Sequence, residues 1–366
     1  LYNIQITRAF TNKTLAGRHV EVTNGIYLNL VLWEFYELIV VIFINSPGMS
    51  SSRREFIRKS FLLTGTVGLT GSSGLNDNNS ISQSGDRLVL LGTQGGPFIR
   101  SYKQTPSANL IVYKNILFVI DTGYGVTFKL LEAGIKLSSL KYIFITHHHS
   151  DHNLELGPLL YNAWLSGLAE PIHVYAPAGL KSLLSAYWES NRFDIDTRIK
   201  DEGRPDIRLL VVSHEYSEGT LVSNSDFDVK SLRNRHPPIE ESYALKFKLG
   251  EKVVVFSGDT TYFPALATFA SGADYLIHEV MYGPAVDEMV KRRPNATKLK
   301  ASILSHHTLA EDVGKIAKAA NAKNLILNHF VPPDDKSLTD EVWTKAVGST
   351  FSGTIIVGKD LLQFAL

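Results

Sequence analysis

Residues 144–153 read FITHHHSDHN and hold four of the chain's twelve histidines, with an aspartate among them. They continue the apolar run YIFIT (142–146), which has the composition of a buried strand. Side chains alternate along extended backbone, so His147 and His149 converge on one point where the strand ends. His148 lies between them and faces away, in a structural role. Asp151 and His152 follow in the turn, where the backbone swings round and aims them at a second point. The spacing suits two adjacent cations. With no cysteine in the chain, thiolate sites and disulfides are excluded, and any metal must be held by imidazole and carboxylate.

Working outward, RLVLLGT (87–93), NLIVY (109–113) and ILFVIDTG (116–123) are short β-rich runs punctuated by Gly, Pro and Asn. VTFKLLEAGI (126–135) spaces its apolar residues as a helix ending near Gly134. IHVYAP (172–177) reads as a strand and GLKSLLSAYWES (179–190) as a helix. YALKFKLGEKVVVFSGDT (243–260) reads as a hairpin turning around Gly250. YLIHEV (275–280), NLILNHF (324–330) and GTIIVG (353–358) are later strands, with a helix over 310–321. Hairpins mixed with strand–helix crossovers in both halves imply two mixed sheets packed face to face with helices outside. No short repeat or low-complexity segment follows Gly85, so residues 86–366 read as one α/β domain.

Composition is that of an ordinary globular protein: 44% hydrophobic, 20% charged, net charge +1. From Gly85 onward, 30 Lys and Arg face 31 Asp and Glu. A protein built to hold a long polyanion carries a basic surplus, and this one has none. Upstream, the first methionine is Met49, in MSSSRREFIRKSFLLTGTVGLTG (49–71). Arg53-Arg54 followed by a weakly apolar run resembles a twin-arginine export signal, with a polar linker to residue 85. The run IYLNLVLWEFYELIVVIFI (26–44) is long enough to span a bilayer. Glu34 and Glu37 sit near its middle, each costing roughly 2.5–3.5 kcal/mol there. Residues 1–48 therefore read as an over-extended reading frame. The expected location is periplasmic, reached through the twin-arginine export machinery.

H-x-H-x-D-H after a buried strand resembles the metallo-β-lactamase superfamily, and the resemblance covers roughly residues 87–360. Asp121 in IDTG, His236 in RHPP, Asp259 in SGDT and His329 in LNHF follow in the expected order. The resemblance implies an αββα four-layer sandwich. It implies His147, His149 and His236 on one zinc, with Asp151, His152 and His329 on the other. Asp259 would bridge, and Asp121 would orient ligands from behind. Two zincs would acidify a water so that hydroxide exists at neutral pH, with Asp151 accepting its proton. Manganese or iron also fits such N/O ligands.

LIHEVMYG (276–283) and the stretch from Leu304 through LSHHTLAED are similar to the ribonuclease Z and arylsulfatase-like branch. In that mapping His306 is the histidine that binds a substrate oxygen and protonates the leaving group, and Glu279 hydrogen-bonds it. Thr308 also reads as a helix N-cap with Glu311 at the box position. Ribonuclease Z carries a long tRNA-clamping arm between the third-motif histidine and the next aspartate. Here His236 and Asp259 are only 23 positions apart, room for one hairpin. The pattern also fails to match a β-lactamase: thiolate classes need a cysteine, and the others lack the bridging aspartate. The leading expectation is a dizinc hydrolase of a small phosphodiester or sulfate ester, with no nucleic-acid partner. A ribonuclease Z-type tRNA 3′-processing endonuclease and a lactonase or other carboxyl-ester hydrolase, with Tyr282 or Tyr262 as donor, stay open. Relatives are often dimers, which leaves a homodimer open too.

Overall fold

The alternation of apolar runs and turn residues becomes two seven-stranded sheets in the computed structural model of the chain. Residues 85–292, 295–333 and 335–366 are described, together with strands β1 (Arg18–Val22) and β2 (Ile26–Leu30). The chain divides into two compact units, Leu1–Asn78 and Asn79–Leu366. In the first, β1 and β2 pair antiparallel, with Arg18 opposite Leu30. Apart from these strands, the expected upstream extension and the export segment up to residue 84 lie outside the described residues. Among the described residues no helix is long and apolar enough to cross a membrane.

In the second unit the strands are β3 (Arg87–Gly92), β4 (Ala108–Tyr113), β5 (Ile116–Ile120), β6 (Tyr142–Phe144), β7 (Ile172–Ala176) and β8 (Val211–Glu215). They continue with β9 (Gly219–Ser223), β10 (Phe227–Arg233), β11 (Tyr243–Leu249), β12 (Lys252–Phe256), β13 (Tyr275–Met281), β14 (Asn324–Val331), β15 (Thr354–Val357) and β16 (Gln363–Ala365). One sheet runs β16-β3-β4-β5-β6-β7-β8 and the other β15-β14-β13-β12-β11-β10-β9. Each is antiparallel on one side and parallel on the other: β5 to β8 are parallel in the first, β12 to β15 in the second. The β4–β5 turn is two residues long, with Lys114 and Asn115 at φ of 48° and 63°. That left-handed pair matches the twist of a tight hairpin. Gly250, at φ 58°, turns β11 into β12 as its sequence implies.

Between the sheets lies an aromatic layer in which Phe118, Phe144, Tyr243 and Phe247 are fully buried. Phe144 meets Phe247 edge-on at 5.3 Å and Phe118 meets Phe227 at 4.9 Å. Such pairs add about 0.5–1.5 kcal/mol each beyond area burial. Helices Val126–Glu132, Leu156–Leu165 and Leu180–Ser190 cover the outer face of the first sheet, packing Leu130, Leu160 and Leu184 in one core with Val119. Helices Ala265–Phe269, Ala310–Ala319 and Asp340–Gly348 cover the second, packing Leu266, Ile316 and Val347 in one core with Leu276. These are the four layers of an αββα sandwich. Two helices end earlier than their composition suggests. The first stops at Glu132 because Gly134, at φ 76°, reverses the chain; the later one stops at Ala319, two residues before Asn321 at φ 49°.

Candidate metal centre

The parallel strands end on one side of the sandwich, and their carboxyl ends carry the polar residues. Beyond β6 the backbone bends at Thr146 and is extended again at His149, at φ −72° and ψ 150°. His147 and His149 meet there, with His147 Nε2 3.0 Å from His149 Nδ1. His236, after β10, brings its Nε2 within 3.0 Å of the same atom. Its Nδ1–H donates to the His306 carbonyl at 3.0 Å, which leaves Nε2 as a lone pair facing the other two rings. Burial holds the His147 imidazole well below its usual range and pushes His236 down to about 3. Neutral rings are the form that binds a cation.

A one-turn helix, Ser150–Asn153, aims Asp151 and His152 at a second point. His329, in β14, places Nε2 3.3 Å from Asp151 Oδ2 and 3.1 Å from Asp259 Oδ2. Asp259 follows β12 and also lies 3.3 Å from His152 Nε2. Asp151, His152, Asp259 and His329 are all buried together. Asp259 is grouped with this second set. His148 points elsewhere: its Nε2–H donates to the Pro177 carbonyl at 3.1 Å and Asn153 Nδ2 donates to its Nδ1 at 2.9 Å.

Asp121 stands behind both sets at the end of β5. Its carboxylate accepts from the Thr146 amide (2.7 Å), the Thr146 hydroxyl (3.0 Å) and His152 Nδ1 (2.8 Å). A carboxylate only accepts, so His152 must carry its proton on Nδ1. Its Nε2 is then a lone pair, buried and without a hydrogen bond, set between the Asp151 and Asp259 carboxylates. A lone pair facing two carboxylates is repulsive unless a cation sits between them. Burial opposes charge on the His152 ring, yet Asp259, Asp121 and Asp151 outweigh it and draw a proton there. The cluster is built for positive charge, and its nitrogen and oxygen donors fit zinc, manganese or iron.

The third group corrects one expectation. Glu279 does not meet His306. Its Oε1 accepts the Thr308 amide at 2.6 Å, and its Oε2 lies 3.3 Å from His307 Nδ1. Helix Leu299–His306 ends at His306, and His307 caps it in extended conformation at φ −124° and ψ 156°. That switch gives the two rings different partners, although they still meet edge-on at 4.7 Å. His306 stacks edge-on at 4.7 Å from His236 and donates from Nδ1 to the Pro237 carbonyl at 3.0 Å. His307 sits 5.4 Å from the His329 ring. Helix Leu299–His306 is not legible in the sequence as a helix, so motif matching alone pairs Glu279 with the wrong histidine. Thr308 is not the N-cap of the next helix either: Leu309 is, and the Thr308 hydroxyl donates to the Thr260 carbonyl at 2.6 Å. Tyr282 packs at 5.8 Å from Trp343, and Tyr262 lies under Lys315. Asn328, which had no sequence signal, accepts the His329 amide at 2.8 Å and supports that residue at φ 44°.

Comparison with known proteins agrees with this geometry. The family model described as "Anti-Pycsar protein Apyc1" matches residues 87–291, more than half of the chain. Ribonuclease Z of Mycobacterium marinum is 26% identical over 277 residues, covering 75% of this chain and 96% of that protein. The metallo-β-lactamase fold protein YhfI from Bacillus subtilis superposes with a TM-score of 0.57 at 20% identity, over 77% of this chain and all of its own. Human tRNase Z, short form, gives 0.56 at 20% identity, over 76% and 98%. These solved structures share the αββα fold, and the ribonuclease Z relatives share the branch. The chain is thus a metallo-hydrolase of the metallo-β-lactamase superfamily, ribonuclease Z-like branch, and belongs to the family of the anti-Pycsar protein Apyc1.

Proposed function

We propose that the protein is a dizinc hydrolase of a small phosphodiester or sulfate ester. The observation that carries this reading is the meeting of two ligand sets with the Glu279–His307 pair beside them. When bound, divalent cations supply Lewis acidity and acidify water. Asp151 faces that point and accepts the proton of the attacking water. Glu279 Oε2 and His307 Nδ1 are buried without a hydrogen bond and lie 3.3 Å from one another. Burial pushes the Glu279 carboxyl up to about 8, so near neutrality it holds a proton toward His307 Nδ1. The ring then carries its own proton on Nε2; as that proton passes to a leaving oxygen, the Glu279 proton moves onto Nδ1, so the ring stays neutral and the carboxylate takes the negative charge, a general-acid relay. His306, packed on His236, positions that ligand.

The full chain loaded with zinc should hydrolyse bis-p-nitrophenyl phosphate or p-nitrophenyl sulfate, lose activity on chelation and regain it with zinc. Inactivity across a broad ester panel would remove the reading. His307→Ala should slow turnover by about 10²–10⁴-fold with metal content unchanged.

A tRNA 3′-processing nuclease is the second reading, favoured by the names of the mycobacterial relatives. Against it, only the β11–β12 hairpin separates His236 from Asp259, and its turn spans Gly250 and Glu251. Cleavage of a precursor tRNA would establish that reading. The twin-arginine-like stretch supports export, which a reporter fused to residues 49–85 would test.

A further inference from the structure

His329 presents its ligand nitrogen from a backbone at φ 44°. A non-glycine residue keeps that left-handed conformation only where its surroundings over-determine it. On one side the Asn328 carboxamide accepts the His329 amide at 2.8 Å. On the other, Phe330 is bonded twice to the start of the β3–β4 connection. Its amide donates to the Thr93 carbonyl at 3.1 Å, and its carbonyl accepts from the Gly95 amide at 3.2 Å. A Cβ on Gly95 would lie 3.0 Å from His329 Nδ1, so this segment packs directly on the ligand ring. Between the two bonds, the Gln94 amide donates to the Thr105 carbonyl at 2.9 Å. Whatever fixes Thr93 and Thr105 therefore fixes the backbone of His329.

Both threonines end on one carboxylate. Asp360 lies in the turn between β15 and β16, outside every motif that marked the ligands. Its Oδ1 accepts the Thr93 amide at 3.0 Å and the Thr93 hydroxyl at 2.9 Å. Its Oδ2 accepts the Thr105 amide at 2.8 Å and the Thr105 hydroxyl at 3.1 Å. The Lys129 ammonium stands 3.3 Å from Oδ2, and the two side chains are only 8% and 3% exposed. A buried ion pair adds little net stability, because desolvation offsets the attraction. A carboxylate saturated by four donors from two distant residues is instead a geometric constraint. The turn that carries it is pinned to β3: the Leu361 amide donates to the Leu90 carbonyl at 2.6 Å, and the Leu90 amide to the Leu362 carbonyl at 3.0 Å.

We infer that Asp360 is a positioning residue for the second ion: it clamps Thr93 and Thr105, and through the Phe330 bonds it holds the strained backbone of His329 in place. This rests on the reading of Asp151, His152, Asp259 and His329 as an ion site. Among the described residues, Thr93, Gln94, Gly95 and Asp360 make no hydrogen bond to His147, His149 or His236. The effect is therefore confined to one of the two ions.

Two measurements on the full chain equilibrated with zinc separate this inference from the reading beneath it. Asp360→Asn keeps the side chain's shape but turns an NH₂ group toward the donors of one threonine. Competition against a fluorescent chelator should show one ion weakened about tenfold, the lower end of what loss of an orienting partner costs, and the other unchanged. Thr93→Val and Thr105→Val each remove a hydroxyl bond and keep the amide bond, so each should weaken the same ion by less. Thr93→Ser should bind both ions as wild type does. Amide exchange followed by NMR should quicken at Gly95 and Phe330 in Asp360→Asn, and stay unchanged at Leu325 in the same strand. Val347→Ala, in the core over the second sheet, should lower Tm while leaving both ions in place, which separates positioning from general destabilisation. Equal weakening of both ions, or faster exchange with both affinities unchanged, overturns the inference. If Asp360→Asn does not fold, unchanged affinity in both valine variants overturns it as well. Faster exchange at Gly95 and Phe330 in a chain that holds no second ion supports the clamp while removing the ion reading beneath it.

Discussion

Replacing Asp121 by Asn probes the site without disturbing the backbone. Asp121 sits at φ 62°, a left-handed conformation that Asn tolerates as well as Asp. The side chains are near-isosteric, so only hydrogen-bond polarity changes. If the oxygen of the new carboxamide keeps the Thr146 amide, now at 2.7 Å, its NH₂ faces His152 Nδ1, now at 2.8 Å. The ring must then accept at Nδ1 and carry its proton on Nε2, the atom meant for the cation. If the carboxamide flips, the buried Thr146 N–H loses its acceptor. An unsatisfied buried donor costs about 1–3 kcal/mol, and loss of a ligand-orienting partner weakens metal affinity about 10–100-fold. The two figures agree. Competition of zinc-loaded protein against a fluorescent chelator should show one ion weakened by that factor, with the ion of His147, His149 and His236 much less affected. Affinity for both ions within twofold of wild type would refute the assignment of Asp121 as the group that sets the His152 tautomer.

Three further outcomes follow from the same contacts. Burial raises the Glu279 carboxyl from 4.5 to about 8, so the folded state holds a proton that the unfolded state has released between those values. Its contribution to stability is present below about 4.5 and lost as pH rises through about 8. Metal-free Glu279→Gln should therefore gain stability relative to wild type as pH is raised from about 5 to about 8, by up to a few kcal/mol, in denaturant titrations; a constant difference would contradict this. Gly258 sits at φ 58°, and a Cβ there would lie 2.6 Å from the Tyr243 carbonyl. Gly258→Ala should cost about 1–3 kcal/mol and displace the adjacent Asp259, read as a lower Tm and a lost metal ion; an unchanged Tm would show that the segment relaxes freely. His148→Ala should keep the full metal content while losing about 1 kcal/mol from its bond to Pro177, and loss of an ion would make His148 a ligand.

Much of the site was legible because its residues sit where local backbone geometry is simple. Period-two alternation after a strand puts His147 and His149 on one face with His148 off it, and that reading needs no tertiary information. The hairpin turn at Gly250 was similarly local. The order of Asp121, His236, Asp259 and His329 along the chain carried the superfamily.

What tertiary structure alone decided was pairing across distance. Whether Glu279 meets His306 or His307 depends on a helix that ends at the first and a backbone that becomes extended at the second. Nothing in the two adjacent histidines distinguishes them until that switch is seen. The bond from the Gly95 amide to the Phe330 carbonyl, beside His329, is likewise invisible in sequence, since it joins segments roughly 230 residues apart through a close backbone contact that only packing creates. Chemistry resides in residue types that any reader can see; which atom faces which is set by the way two sheets and their helices close on each other.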